Sequence, residues 1–379
     1  NKGPAVGKDE ELLKLLDDAE ILSSRKKRRG QDETTIFKGQ ERHQSQLNPE
    51  VSVTGDFFAA YSTADDDIIT KPGDFTNGRN RFMMRDVGFH FMAPLDPFTR
   101  GKFLLGIPGE GDVSLVKLVD EAYMEWLNLP LGMNLKIGKY FNQFGILNRF
   151  HDHGLPQFDR PSALVNIFGD GNLGGFGISG NFLLPHMWAD ALEMDLEIAT
   201  GGDGLFFDDA LDSMYGVVHL KNYYDVTRNT YIELGLSGAH GYSDKDKNLR
   251  SSIGGLDLTS KWVPAGRSHY RTIEFRSEAF MTSWETTADT INRFAFYSYL
   301  KNKLGPRSWV GIRYSYSELP REIKKETEWD ISPTFDFWQS EFVMLRFQYS
   351  YTKRSFAEED HSFFLQTVWA MGPHKHEAY

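Results

Sequence analysis

Residues 343–352 read VMLRFQYSYT. Val343, Leu345, Phe347 and Tyr349 alternate with Met344, Arg346, Gln348 and Ser350. Successive side chains of an extended chain point to opposite faces, so this is a strand with one apolar and one polar face. The same rhythm recurs along most of the chain. WVGIRYSYS sets Val310, Ile312, Tyr314 and Tyr316 against Arg313, Ser315 and Ser317. ALEMDLEIA sets Leu192, Met194, Leu196 and Ile198 against Glu193, Asp195 and Glu197. GMNLKIGKY and VSVTGDFFAAY follow the same rule.

The pattern predicts strands near 51–61, 82–92, 100–107, 120–129, 132–144, 174–184, 190–200, 213–225, 229–240, 251–263, 268–282, 291–302, 308–318, 329–338, 341–352 and 361–371. Pro333 cannot donate to a ladder, which predicts a bulge there. Many of these strands are long enough to cross a bilayer at a tilt, which takes roughly 9–11 residues. Tight turns at 129–132, 225–229 and 305–308 alternate with long linkers at 62–81, 145–173, 201–212, 241–250 and 353–360. Short turns on one rim and long loops on the other belong to outer-membrane barrels. A sheet edge left open in lipid has unsatisfied backbone groups, so the sheet must close. The expected fold class is all-β: a transmembrane antiparallel β-barrel of about 16 strands.

Composition agrees. The chain has 379 residues, 40% hydrophobic and 14% aromatic, and no apolar run of transmembrane-helix length. Mean hydropathy is −0.45, as in a soluble protein. In a barrel only alternate residues face lipid, so that average is expected. The net charge of −11 argues against a nucleic-acid partner. The absence of cysteine excludes thiol catalysis, iron–sulfur clusters and disulfides. No catalytic or nucleotide-binding motif is present, so neither an enzyme nor a cofactor is expected. The expected location is the bacterial outer membrane, with a signal peptide already removed.

Residues 1–48 stand apart as a polar segment. They carry a short amphipathic stretch with Leu12, Leu16, Ala19 and Leu22, then the basic run 25–29. The expected division is 1–48 for this segment and 49–379 for the barrel.

A resemblance adds to this reading. Residues 118–146 read LVDEAYMEWLNLPLGMNLKIGKYFNQFGI. They contain Glu121, Ala122, Tyr123, Trp126 and Pro130, then Lys136, Ile137, Gly138, Lys139, Tyr140, Phe144 and Gly145. This resembles the hallmark hairpin of the phosphate-selective (O/P-type) porin family, with Gln143 where that family has proline. The resemblance implies a porin of the outer membrane, surrounded by lipid and assembled as a homotrimer.

Function in such a barrel lies in the lumen. The alternation predicts Lys136, Lys139, Glu193, Asp195, Glu197, Arg293, Arg313 and Arg346 as pore-lining. The linker 148–173 is long for a simple connection, and such segments are usually functional. It is the expected constriction, with Arg149, His151, Asp152, His153, Asp159 and Arg160 setting the local field. The His-Asp-His triplet has no third ligand specified, so no metal is expected. The inward charges are mixed in sign, unlike a phosphate-conducting ladder of Arg and Lys. The expected function is passive diffusion of small hydrophilic solutes or ions. The alternative is a non-conducting barrel that anchors or sheathes a periplasmic or surface protein.

Overall fold

The computed structural model describes residues 49–64, 81–109, 118–169, 171–201, 205–246, 248–268 and 270–372. The amphipathic stretch and basic run before residue 49 lie outside the described residues. The described chain forms sixteen strands closed into one barrel, each paired antiparallel with its sequence neighbours and β1 with β16. They are β1 Glu50–Ser62, β2 Arg81–Pro94, β3 Thr99–Pro108, β4 Val119–Leu129, β5 Met133–Phe141, β6 Gly174–Leu184, β7 Ala191–Thr200, β8 Met214–Thr227, β9 Thr230–Tyr242, β10 Arg250–Trp262, β11 Ile273–Glu285, β12 Thr290–Lys303, β13 Ser308–Glu318, β14 Thr327–Ser340, β15 Val343–Arg354 and β16 Asp360–Met371.

Register turns the alternation into two environments. On β13, Arg313, Ser315 and Ser317 point inward and are buried, while Ile312 and Tyr314 point outward and are exposed. On β7, Leu196 and Ile198 face out and Asp195 and Glu197 face in. Outward aromatic side chains gather toward the ends of neighbouring strands. Tyr61 packs on Phe363, Tyr349 on Phe363, Trp329 on Tyr351, and Tyr314 on Trp329, with ring centroids 4.9–6.2 Å apart. This is the interfacial belt expected of a lipid-facing wall.

The connections divide by rim. Those after the even-numbered strands are mostly tight, such as 130–132, 228–229 and 341–342, and both ends of the barrel chain lie on that rim. The opposite rim carries the segment 142–173, with shorter loops at 201–213 and 319–326. These are called the turn rim and the loop rim below.

Two boundaries and one bulge differ most from the sequence pattern. The fifth strand ends at Phe141 rather than 144, because the chain there leaves the wall. The eleventh runs 273–285 instead of 268–282. Pro333 sits in continuous register opposite Ile312, and the β14–β15 shift falls at Trp338/Ser340 instead. Two other bulges matter for the site. One in the β1–β2 pair lies at Asp56/Phe57 and one in the β3–β4 pair at Leu104/Leu105. A bulge inserts an extra residue and re-aims side chains. It lets Arg85 and Asp86 both reach the lumen, and likewise Asp120 and Glu121.

Candidate functional site: the inserted segment and the lumen beside it

The segment 142–173 does not cap the barrel from outside; it folds into the lumen. Its composition explains why. Phe144, Ile146, Leu147, Phe150, Leu155, Leu164, Ile167, Phe168 and Leu173 are all buried. Opposite them the inward positions of β8–β12 carry Val217, Ala239, Ile253, Phe280 and Ala295, also buried. A segment this apolar loses free energy in water, and this patch of wall offers it a dry surface. Phe144 lies 6.1 Å from the Phe280 ring and edge-on to Phe168 at 5.5 Å.

Entry is controlled by Phe144-Gly145. Gly145 has φ +58°, and a Cβ there would collide with the Glu278 carboxylate. Only glycine fits such a bend without strain. The Gly145 amide donates to Ser237 Oγ (2.9 Å), and the Leu147 amide to Glu278 Oε1 (3.0 Å). Asn148 closes the neck. Its Nδ2 donates to the carbonyls of Asn142 and Leu173, and its Oδ1 accepts the Leu173 amide. Inside, two 3-10 turns, Leu147–Arg149 and Asp152–Gly154, precede one short helix, α1, Ser162–Phe168.

Beyond the apolar patch, the wall holds the segment by charge. The Arg313 guanidinium grips Asp159 with two 2.9 Å bonds, one to each carboxylate oxygen, and reaches Asp330 as well. Gln348 donates to Asp159 (2.6 Å) and accepts the Phe158 amide (3.0 Å). Arg346 donates to the Leu155 carbonyl (3.1 Å) and pairs with Asp336 (2.7 Å). Lys301 donates to the Pro156 carbonyl (2.8 Å). Burial pushes the Asp159 carboxyl up, but Arg313 and the hydrogen bonds from Arg313 and Gln348 outweigh it and hold it below the usual carboxylate range. Ser315 Oγ accepts the Ala163 amide, and Asn166 donates to Glu328, so α1 is fixed to β13 and β14.

The β2–β6 side is different. There the segment leaves a cavity of about 430 Å³, lined by Arg85, Asp86, Asp120, His151, Asp152 and Arg160 among others. Asp86 and Asp120 converge over Gly106, where a Cβ would stand 2.7 Å from Asp120 Oδ2 and 3.2 Å from Asp86 Oδ1. Arg160 supports the segment itself. It donates to the carbonyls of Leu147 and Phe150 and pairs with Asp152 at 3.0 Å.

The structure thus separates the residues expected at the pore. Arg313 and Arg346 face the lumen but lie under the inserted segment, only 1% and 2% exposed, because they hold it. Glu197 does the same, accepting from Asn142 Nδ2 (2.8 Å) and the Gln143 amide (3.0 Å). Asp195 accepts from Asn181, and Glu193 stands opposite Lys221. Lys136 lies over the Tyr123 and Tyr140 rings at 4.7 and 5.2 Å. Lys139 reaches the β2–β6 cavity by another route. It shares register with Ala122 and Phe176 on the face opposite to Lys136's, and its ammonium turns back to the Val119 carbonyl. Three residues along a strand reverse the face, so the two lysines cannot both line the lumen by alternation. Arg293 binds the carbonyls of Glu322 and Ile323 near the loop rim. Of the segment residues, Arg149 donates to Gln143 (3.0 Å) and His151 contacts Glu121 (3.2 Å). His151 and His153 stack with ring centroids 5.8 Å apart. No group of three or more potential metal ligands with binding geometry occurs among the described residues.

A closed antiparallel barrel of sixteen strands, unequal rims and an inserted segment after β5 invite comparison with known structures. The anion-selective porin of Comamonas acidovorans matches with a TM-score of 0.58 at 11% identity, over 85% of this chain and 99% of that one. The fold is that of an outer-membrane porin. The outer-membrane channel DcaP of Acinetobacter baumannii gives the same TM-score at 11% identity, over 87% of this chain and 99% of that one. OprB of Pseudomonas putida also gives 0.58, at 9% identity, over 86% and 94%. In sequence, an uncharacterized protein of Aquifex aeolicus is 27% identical over 340 residues, 79% of this chain and 70% of that one. No protein-family model matches the chain.

Proposed function

We propose that this protein is an outer-membrane diffusion channel for small hydrophilic solutes or ions, with passage confined to the space between the inserted segment and the β2–β6 wall. One observation carries the reading. The segment fills the lumen against β8–β15 and leaves a charged cavity only partly covered on the other side. Lipid around the outward face and assembly as a homotrimer belong to the same proposal. Phosphate selectivity finds little support, since Arg313 and Arg346 are occupied with Asp159, Asp330 and Asp336.

A second reading, a sealed barrel that anchors a protein partner, is favoured by how widely the segment is tied. Its bonds reach β2, β4, β7, β9 and β11–β15. Planar-bilayer recording of the purified protein separates the two. Stepwise openings support the channel, and deletion of 151–165 should raise the single-channel conductance several-fold. A silent wild-type barrel that conducts only after that deletion supports the sealed scaffold.

A further inference from the structure

We infer that His90, His151 and His153 form an acid-operated latch between the inserted segment and the barrel wall. His90 projects inward from β2, His151 immediately precedes the 3-10 turn Asp152–Gly154, and His153 lies within it. The three rings are each less than 9% exposed. Their centroids lie 5.3 Å (His90–His153), 5.8 Å (His151–His153) and 6.0 Å (His90–His151) apart. Phe141 closes one side at 4.9 Å from His151. His90 Nε2 is 3.4 Å from Thr54 Oγ1 on β1.

Imidazole is the side chain whose ordinary titration falls between pH 5 and 8. Packed neutral rings attract, whereas imidazolium rings at these distances repel strongly where water is scarce. The surroundings decide how many charges fit. On β1 and β2 the cluster faces Asp56, Arg85 and Asp86, with Arg85 3.6 Å from Asp56. On β3 and β4 it faces Lys102, Asp120 and Glu121, and Glu121 already binds Lys102 at 2.6 Å beside His151 at 3.2 Å. Lys139 of β5 acts on Asp120, and within the segment Asp152 pairs with Arg160. Glu121 and Asp152, the carboxylates nearest the segment's rings, each already pair with a cation, Lys102 and Arg160. Positive charge added to the stacked rings is therefore not fully neutralised, and it favours release of the turn that carries His151 and His153. Rings this close titrate as a coupled set rather than singly.

The channel reading is needed only for the conductance arm of the test. The other arm is hydrogen exchange of the purified barrel in detergent, read at the amides of Gly154 and Leu155, which donate to His151 and Asp152 carbonyls. Each proton taken up only on release shifts the seating equilibrium about tenfold per pH unit. Protection at these amides, corrected for intrinsic exchange, should therefore fall by about that factor per unit below roughly pH 6.5. In the His90→Asn/His153→Asn variant it should stay flat, and single His153→Gln should blunt it. Channel conductance should change in the same pH window in wild type and not in the variant. Flat wild-type protection from pH 7.5 to 5, or an unchanged pH profile in the variants, overturns the latch. A pH-dependent protection in a barrel that never conducts keeps the latch and removes the channel reading.

Discussion

Arg313 and Arg346 on β13 and β15 are each bound to the inserted segment, whereas Asp86 and Asp120 on β2 and β4 have no hydrogen-bond or ion-pair partner for their carboxylates among the described residues. Both sets are inward charges on strands of one barrel. The difference is what stands opposite. Across from β13–β15 lies the acidic and carbonyl-rich stretch 155–159, which neutralises the arginines and excludes water from them. Across from β2–β4 lies a cavity with glycines 171, 174 and 175 on its far side. A lumen charge is therefore not a pore charge by virtue of facing inward. It is one only where the segment leaves it uncovered.

The largest test of this contrast is on the clamped side. Arg313→Ala leaves the carboxylates of Asp159 and Asp330 close together with their shared cation gone. Breaking a buried pair by removing one partner costs about 3–5 kcal/mol. The expected result is loss of hydrogen-exchange protection across 155–163, with the barrel itself still folded by its heat-modifiable mobility. If protection is retained, the clamp is not what seats the segment.

Acid should reach the same clamp from the other partner. Asp159 has a depressed pKa, so its contribution is full above the ordinary carboxylate range, near pH 3.9, and is lost as pH falls through its lower folded value. Protection at the Phe158 amide should hold to about pH 4 and fall below it, a window separate from the one inferred for the histidine latch. Asp159→Asn should abolish the step below pH 4 and leave the upper one in place. Its persistence in that variant would assign the acid step to another group.

Most of the wall was legible in the sequence, because period two is imposed by the pleat wherever one face meets lipid. Period two places Arg313, Arg346, Glu193 and Asp195 on the inward face, where the register also has them. The clamp was not legible. Nothing in the alternation says that Asp159 meets Arg313, more than 150 positions away, and the linker's charges read equally well as pore charges. Asp86 and Asp120 were missed as a pair because the bulges put them beside Arg85 and Glu121, against strict alternation. One sequence signal does point to the cover. Val217, Ala239, Ile253, Phe280 and Ala295 are apolar at inward positions, which makes sense only if something apolar covers them. The apolar residues of 144–173 supply that cover.

The smallest expected effect lies on the open side and tests whether uncovered charge matters. Asp86→Asn with Asp120→Asn removes no hydrogen bond or ion pair among the described residues, and it relieves repulsion between the two carboxyls converging over Gly106. Folding should be unchanged or slightly favoured. Selectivity should move instead. In a cavity walled by protein the effective dielectric is low, so negative charge lost from this carboxyl pair acts at close range on a passing ion. The reversal potential under a salt gradient should shift away from cations. At the loop rim the pair Lys353–Glu359 sits in open water, with 51% and 48% of the side chains exposed. Salt screens such charges within about 10 Å at 0.1 M. Lys353→Gln with Glu359→Gln should therefore leave the reversal potential where it was. Equal shifts from the two double variants would show that ions do not pass the β2–β4 cavity, and the contrast between the covered and uncovered sides would lose its functional meaning.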